Sequence, residues 1–228
     1  MLNMTQIMMK KITVILIIVL AFLHWAVLAM AEDFDLTQKN HQKLYYRISA
    51  GLATDTDLQR IVRGDLNIDD RRTGIVGFEI GRAIAEDWRG WPVDFVAKAG
   101  LIRHLERGFQ KDFNQLTLSI KAYYKGFPWR DRIRTRLGFA EGVSYAEKIP
   151  FVERESLESR ERNTSRFLNH LDISFDVNLA DIFKSSKLTG CYFGIGISHR
   201  SGIFGEFKIF GEVDGGSNYN MLQVECIK

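Results

Sequence analysis

The sequence predicts an all-β protein, an eight-stranded antiparallel up-and-down transmembrane β-barrel of the outer membrane. Three observations favour this fold. Eight segments alternate apolar and polar residues with the period of two that is typical of strands. The polar face of these segments is dense in charged residues, and the connections between them alternate long and short, as they do in outer-membrane barrels.

The composition narrows the class of protein. The chain has 228 residues, of which 46% are hydrophobic and 26% charged, with three prolines and two cysteines. These values exclude a disordered, a collagen-like or a disulfide-dense protein and fit one ordinary domain. Basic residues number 31 against 28 acidic ones, or 29 against 28 without Lys10 and Lys11, which lie in a leader segment. This balance argues against nucleic acid as a partner.

The N-terminal segment has the pattern of an export signal. Residues 1–31 contain two lysines, an apolar run over 12–28 and an Ala-x-Ala site at 29–31. This pattern predicts a cleaved signal peptide, with the mature barrel domain over 32–228, in the cell outer membrane of a Gram-negative bacterium. A retained membrane anchor is the alternative, because the apolar run is long for a signal peptide.

The eight predicted strands are, in order, 44–52, 76–84, 93–101, 115–124, 132–139, 170–179, 190–203 and 216–227. In the first, Tyr46 and Ile48 share one face, and Arg47 and Ser49 share the other. A water-surrounded core would not hold such polar faces unpaired. We therefore expect lipid against the apolar face and charged pairs in a narrow interior. The expected pairs join Arg132, Arg134, Arg136 and Lys98 to Asp94, Asp172 and Asp176.

The connections support this topology. From a periplasmic N-terminus, the external connections are 55–72, 105–112, 147–164 and 204–215, and the internal ones are the shorter 86–90, 126–131 and 181–187. The charge-rich stretch 147–162 is expected to be a solvated loop surface. Five aromatic residues fall at or beside the internal turns and predict an interfacial girdle, namely Trp88, Trp91, Phe127, Trp129 and Phe183.

Two cysteines suggest a register for the last hairpin. If Cys191 lies opposite Cys226, the numbers of directly opposed residues sum to 417. In an oxidising compartment the two residues form either a disulfide or two separate thiols, and the sequence leaves both open.

The same register brings three polar residues together. It places Asn218 opposite His199, on the lipid-facing side that His199 shares with Ser201. Strand rise puts the pair about 26 to 33 Å above the periplasmic end, at the outer-leaflet boundary. A hydroxyl, an imidazole and an amide form a nucleophile, a base and an orienting group. Alternatively, His199 and Ser201 merely begin a solvated loop, because His-x-Ser is a weak motif.

The segments that carry these residues resemble a known family. The stretches 199–205 (HRSGIFG) and 214–219 (DGGSNY), on the last hairpin of an eight-stranded exported barrel, are similar to the PagL-type lipid A 3-O-deacylases. The motifs cover about forty C-terminal residues, and the rest is similar in architecture only. The resemblance implies a carboxylic ester hydrolase that removes a fatty acyl chain from lipid A of lipopolysaccharide, among outer-membrane lipids. It implies Ser201 as nucleophile, His199 as general base and no metal or cofactor, and it leaves a homodimer open.

The sequence departs from the family pattern at two positions. Asn218 stands where the family has a glutamate, and Gly202 stands where it has an asparagine implicated in the oxyanion hole. An asparagine can orient a histidine without stabilising the imidazolium, and replacing a triad carboxylate by an amide can cost about 10⁴ in rate. The backbone N–H of Gly202 is a candidate oxyanion donor. Three acids of the last connection are candidate substitutes for the missing carboxylate, namely Glu206, Glu212 and Asp214.

Two other functions remain. One is a catalytically inactive structural or lipopolysaccharide-binding outer-membrane barrel. The other is a pore, which is disfavoured because eight strands leave an interior only wide enough for side chains.

Overall fold

A closed β-barrel forms the body of the protein. The computed structural model describes residues 43–202 and 208–228, so the predicted signal peptide over 1–31 and Glu206 lie outside the described residues. Each strand is antiparallel to the next, and β8 closes on β1, which confirms the predicted up-and-down fold. The strands are β1 (Leu44–Thr54), β2 (Gly74–Ala85), β3 (Val93–Leu105), β4 (Phe113–Tyr124), β5 (Thr135–Ala146), β6 (Phe167–Asn178), β7 (Cys191–Ser201) and β8 (Gly216–Ile227).

In the described part of the chain, short α-helices occupy three connections. These are α1 (Leu58–Val62) between β1 and β2, α2 (Phe151–Glu158) between β5 and β6, and α3 (Leu179–Phe183) between β6 and β7. Within the described ranges, no helix has the length and apolar character that a membrane-crossing helix needs. The connection 179–190 at the internal end is longer than 106–112 at the external end, so the alternation of long and short connections is only partial.

The start of the fifth strand differs from the prediction. β5 begins at Thr135, because the backbone N–H groups of Arg132 and Ile133 both donate to Trp129 O and form a turn there. Arg132 is therefore exposed in the turn, and the Arg134 side chain binds Asp181 at the rim with Nη2 to Oδ1 at 2.8 Å. The expectation that these two arginines pair inside the barrel is wrong.

The barrel exterior is apolar. Ile48 is 63% exposed and Leu118 is 61% exposed. The outward side chains of all eight strands continue this pattern around the wall. A closed barrel leaves no unpaired backbone edge, so this surface suits hydrocarbon. Trp91, Trp129 and Phe183 are exposed at the internal turns, as predicted, whereas Trp88 and Phe127 lie at the same turns but are half-buried.

The Asp172 carboxylate is the centre of a hydrogen-bond network in the middle of the lumen. The Arg47 guanidinium donates to Asp172 Oδ2 at 2.8 Å and to Gln223 Oε1 at 2.7 Å, and it also pairs with Glu79. Lys121 binds the same Asp172 carboxylate. These side chains come from five strands, so the network ties the wall together across the lumen.

The Glu225 carboxylate is the centre of a second network, nearer the internal end of the barrel. Glu225 Oε1 accepts hydrogen bonds from Arg136 Nη2 and from the Tyr123 hydroxyl, each at 2.7 Å. Lys98 pairs with Glu225, and Arg136 Nε binds Asp176 Oδ2 at 3.0 Å. Of the expected interior pairs, Arg136 with Asp176 is therefore confirmed, whereas the pairing of Lys98 with an aspartate is wrong, because Lys98 lies between Glu225 and Glu79. Side chains fill the lumen, as expected for eight strands.

Helix α2 covers the external end of the lumen. Glu153 is buried and accepts hydrogen bonds from Arg200 Nε at 3.2 Å and from Ser217 Oγ at 2.9 Å. Burial raises the pKa of the Glu153 carboxyl, and Arg200 opposes this shift. Val152 packs against the apolar cluster of Ala53, Ile75, Ile102, Tyr219 and Met221. The prediction of a wholly solvated loop over 147–162 is therefore wrong, because one face of α2 is needed to close the core.

The last hairpin has the predicted register. Cys191 pairs with Cys226, and Ile195 pairs with Leu222, so opposed residue numbers sum to 417. The two cysteines form a disulfide, with their Cα atoms 4.0 Å apart. The sequence left open a disulfide or two separate thiols, and the structure contains the disulfide.

The interior network predicts a large cost for Asp172→Asn. This change leaves Arg47 and Lys121 in the lumen without the carboxylate that they share, which should lower the free energy of unfolding by about 3 to 5 kcal/mol. Urea titration of the refolded barrel in detergent measures it. The control is Glu86→Gln, at a partly exposed pair with Lys43 on the rim, where the loss should stay below about 1 kcal/mol. Equal losses in both variants would contradict a stabilising interior network.

Candidate active site on the barrel exterior

The external ends of β7 and β8 hold the candidate catalytic residues. His199 lies opposite Asn218, and Ser201 lies opposite Gly216, as the cysteine register predicts. His199 and Ser201 are half-buried and share a face with the exposed Ile195, because alternate residues of a strand point the same way. The imidazole and the hydroxyl therefore lie on the outside of the barrel, at its external rim.

Asn218 fixes the histidine tautomer. The Asn218 amide nitrogen donates to the Thr56 carbonyl oxygen at 2.9 Å, which decides how the amide group is turned. The Asn218 Oδ1 atom then faces the imidazole and accepts a hydrogen bond from His199 Nδ1 at 2.6 Å. With the proton on Nδ1, the lone pair of His199 Nε2 is available to act as a base.

Ser201 is close to the histidine along the strand but is not bonded to it. Two residues of a strand are separated by about 6.6 Å, a gap that an imidazole can narrow by leaning along the strand. Among the described residues, no hydrogen bond joins Ser201 Oγ to His199. Such bonds are often long in unliganded enzymes and shorten when substrate binds.

Gly202 does not have the predicted role. Its N–H donates to Gly215 O at 3.1 Å, so this group is not available to an oxyanion. A Cβ atom at position 202 would lie 2.1 Å from Val213 O, so only glycine lets the two backbones approach this closely. The expectation of an oxyanion donor at Gly202 is wrong, and the same packing explains why no asparagine stands there.

The two spare acids of the last connection that the structure describes, Glu212 and Asp214, do not replace the missing carboxylate. Asp214 Oδ2 pairs with Arg162 Nη2 at 2.9 Å, and Glu212 is exposed in a turn. Neither is bonded to His199, whose Nδ1 is occupied by Asn218. Of the three candidates, Glu206 lies outside the described residues. Asn218 is therefore the group that orients the histidine.

The structure adds two polar residues that the sequence interpretation missed. Asn169 on β6 lies directly opposite Ser201, and Glu141 on β5 lies on the same outer face. Asn169 Nδ2 donates to Glu141 Oε1 and to Gly142 O, the latter at 3.1 Å. The predicted strands ended at 139 and began at 170, which left both positions out. The period-two pattern through Leu137 and Phe139 would have placed Glu141 outward. We call Glu141, Asn169, His199, Ser201 and Asn218 the exterior polar cluster.

Comparison with known proteins identifies no family for this chain. None of the protein-family models matches the sequence. No curated protein matches it either. Among solved structures, it is similar to the outer membrane protein OprG from Pseudomonas aeruginosa, with a TM-score of 0.30 and 12% identity, over 82% of this chain and 93% of that chain. At this level of similarity the match assigns no site.

The hydrogen-bond chain from Thr56 to His199 makes a spectroscopic prediction. Nitrogen-15 NMR of the barrel in detergent should show His199 as the Nδ1–H tautomer, because Asn218 Oδ1 accepts that proton. In Asn218→Ala the acceptor is lost, and the Nε2–H tautomer should become substantially populated. His104, whose Nε2 lies 2.9 Å from Gln115 Oε1, is the internal control and should not change. An unchanged His199 spectrum would show that Asn218 does not orient the ring.

Proposed function

We propose that this protein is an outer-membrane serine esterase that removes an ester-linked fatty acyl chain from lipid A of lipopolysaccharide at the outer leaflet. The observation that carries the proposal is the oriented pair of Asn218 and His199 beside Ser201, on an apolar exterior. The assignment to the 3-O position and to lipid A comes from the resemblance of the last hairpin to the PagL-type deacylases.

The proposed reaction uses the three residues in order. Ser201 Oγ attacks the ester carbonyl carbon while His199 Nε2 takes the hydroxyl proton. The tetrahedral intermediate collapses, His199 returns the proton to the departing sugar oxygen, and an acyl-serine remains. Water then attacks the acyl carbon with His199 again as base, and the fatty acid leaves as Ser201 regains its proton. Asn218 holds the imidazole by its Nδ1–H throughout.

The amide limits the rate of this chemistry. Asn218 cannot balance the positive charge on His199 when the imidazole is protonated, and the amide-for-carboxylate exchange can cost about 10⁴ in rate. A slow enzyme is consistent with a substrate that is held in the same membrane, because local concentration and orientation offset a weak chemical step.

The environment of the cluster supports a lipid substrate. Below Ser201 and His199 the outer face continues to Ile195, which is 53% exposed, so an acyl chain running down the wall meets an apolar side chain. The ester at its upper end would lie at the external rim, beside the hydroxyl. The lumen is filled by charged pairs, so the surface that is open to a ligand of this kind is the exterior.

Ser201→Ala should abolish the activity. Mass spectrometry of lipid A from cells that express the wild-type chain should show loss of one acyl chain, and removal of the nucleophile should lower this conversion by at least about 10³-fold. The matched control is Ser198→Ala on the same strand, since Ser198 is buried on the interior side and should leave conversion unchanged.

An unchanged lipid A profile would contradict the esterase proposal. If wild type, Ser201→Ala and a deletion strain give the same lipid A profile, the esterase proposal fails. An inactive structural or lipopolysaccharide-binding barrel would then be the function to test, by binding of purified lipopolysaccharide to the refolded protein.

A further inference from the structure

A hydrogen-bonded band of polar side chains follows the external ends of β3 to β6. Arg103 Nη1 donates to Asn114 Oδ1 at 3.2 Å, and the Asn114 backbone N–H donates to Glu147 Oε2 at 2.9 Å. Arg166 Nη1 donates to the Glu147 carbonyl oxygen at 3.2 Å. The four residues lie at the external ends of four neighbouring strands, so the band has an arginine at each end. We call Arg103, Asn114, Glu147 and Arg166 the rim band.

The rim band lies at the upper edge of the lipid-facing wall. Arg103 points the same way as Leu101, which is 49% exposed, because alternate residues of a strand share a face. The Arg166 guanidinium carbon lies 5.6 Å from the centroid of the Tyr145 ring, which is exposed on the outside of β5. Leu116 on β4 is exposed on the same wall. Cations at the edge of an apolar surface of this kind lie at the height of lipid headgroups.

Positive charge is in excess in this sector of the rim. Within residues 103–112, 147–148 and 166, the exposed basic side chains are Arg103, Arg107, Lys111, Lys148 and Arg166. The exposed acidic side chains in the same ranges are Asp112 and Glu147. The connection between β1 and β2 differs, since residues 55–73 contain five aspartates against four arginines. The excess is therefore a local property of the rim above β3 to β6.

Several cationic groups of this sector have donors that are not in use. Arg166 Nε and Nη2 have no hydrogen bond within the described ranges, and the contact with Tyr145 holds the guanidinium against the wall. Adjacent N–H donors of a guanidinium bind a phosphate through two parallel hydrogen bonds. Lys111 and Lys148 form no ion pair with another described residue, so their charge also attracts an anion.

We propose that the rim band binds the phosphate group of an outer-leaflet lipid headgroup, with Arg166 as the main phosphate ligand. The acyl chains of the same lipid lie against the apolar wall below, beside Tyr145 and Leu116. A free phosphate ion would gain only the contact with the band, so a lipid is the occupant that fits both parts of the surface. A catalytically inactive barrel would keep this surface, so the inference does not rest on the proposed esterase function.

The phosphate site adjoins the candidate active site but is separate from it. Tyr145 on β5 is paired with Phe167 on β6, and Asn169, two residues further along β6, is paired with Ser201 on β7. Two residues of a strand span about 7 Å, and the two strand spacings from β5 to β7 add about 10 Å across the wall. Tyr145 is therefore about 12 Å from Ser201, so substitutions in the rim band leave the nucleophile and the histidine in place.

The test measures the binding of two forms of lipid A, one with its phosphate groups and one without them, to the Ser201→Ala barrel in a maltoside detergent. The Ser201→Ala background ensures that hydrolysis does not consume the ligand. Calorimetry should show that the phosphorylated form binds at least about tenfold tighter, because its phosphate forms charge-assisted hydrogen bonds. Arg166→Gln should lower this ratio to about three or less, and Arg103→Gln added to it should bring the ratio close to one.

The control variant removes an arginine from the other end of the barrel. Arg130→Gln acts at an exposed arginine of the internal turn between β4 and β5 and should leave the ratio unchanged. Arg166→Lys keeps the charge without the paired donors and should keep part of the preference. Heat-modifiable mobility in gels should show that each variant folds, since the substituted side chains are exposed.

Three results would overturn the proposal. One is equal binding of both forms of lipid A by the Ser201→Ala barrel. Another is a loss of preference in Arg130→Gln as large as that in Arg166→Gln, which would reflect net charge and not a local site. The third is displacement of the lipid by an equal concentration of inorganic phosphate, which would show that the free ion is sufficient.

Discussion

The structure depends on one constraint, the pairing of every strand with two neighbours around a closed ring. Closure satisfies the backbone, so the outer wall can be apolar. Every second side chain of each strand then points into a narrow lumen, where a charged group is stable only beside a group of opposite charge. Asp172 and Glu225 each meet two cations and join strands that are far apart in the sequence. The charges of the interior are therefore tolerated because each lies against a partner from another strand.

The same strand pairing also positions the residues of the candidate site. Because residues of neighbouring strands are opposed in fixed pairs, the disulfide between Cys191 and Cys226 and the contact between His199 and Asn218 belong to one register. A slip of one residue would turn the His199 and Ser201 side chains into the lumen, among charged side chains. The disulfide near the internal end and the His199–Asn218 contact at the external end therefore depend on the same strand register.

The sequence predicts the barrel well because alternation is a local property. Eight period-two segments and the outward placement of His199, Ser201 and Asn218 follow from neighbouring residues. The register sum of 417 follows instead from placing Cys191 opposite Cys226 across the last hairpin. Errors arise where a contact other than the alternation decides the local conformation. The backbone of Val213 decides that position 202 must be glycine, and the turn at Trp129 decides where β5 begins. Glu141 was missed because an apolar outer face was used to define each strand, and its outward carboxylate breaks that pattern in the middle of β5.

The link between Thr56 and Asn218 has a further consequence. Thr56 follows β1, the first strand made, whereas Asn218 lies on β8, the last, and the two strands meet at the seam where Thr54 is paired with Asn218. Until β1 pairs with β8, the Asn218 amide lacks the Thr56 carbonyl that turns its oxygen towards His199. The tautomer of the His199 imidazole is then not fixed. Closure of the barrel and orientation of the His199 ring are for this reason one event, because the last strand must meet the first before Asn218 can be held in place.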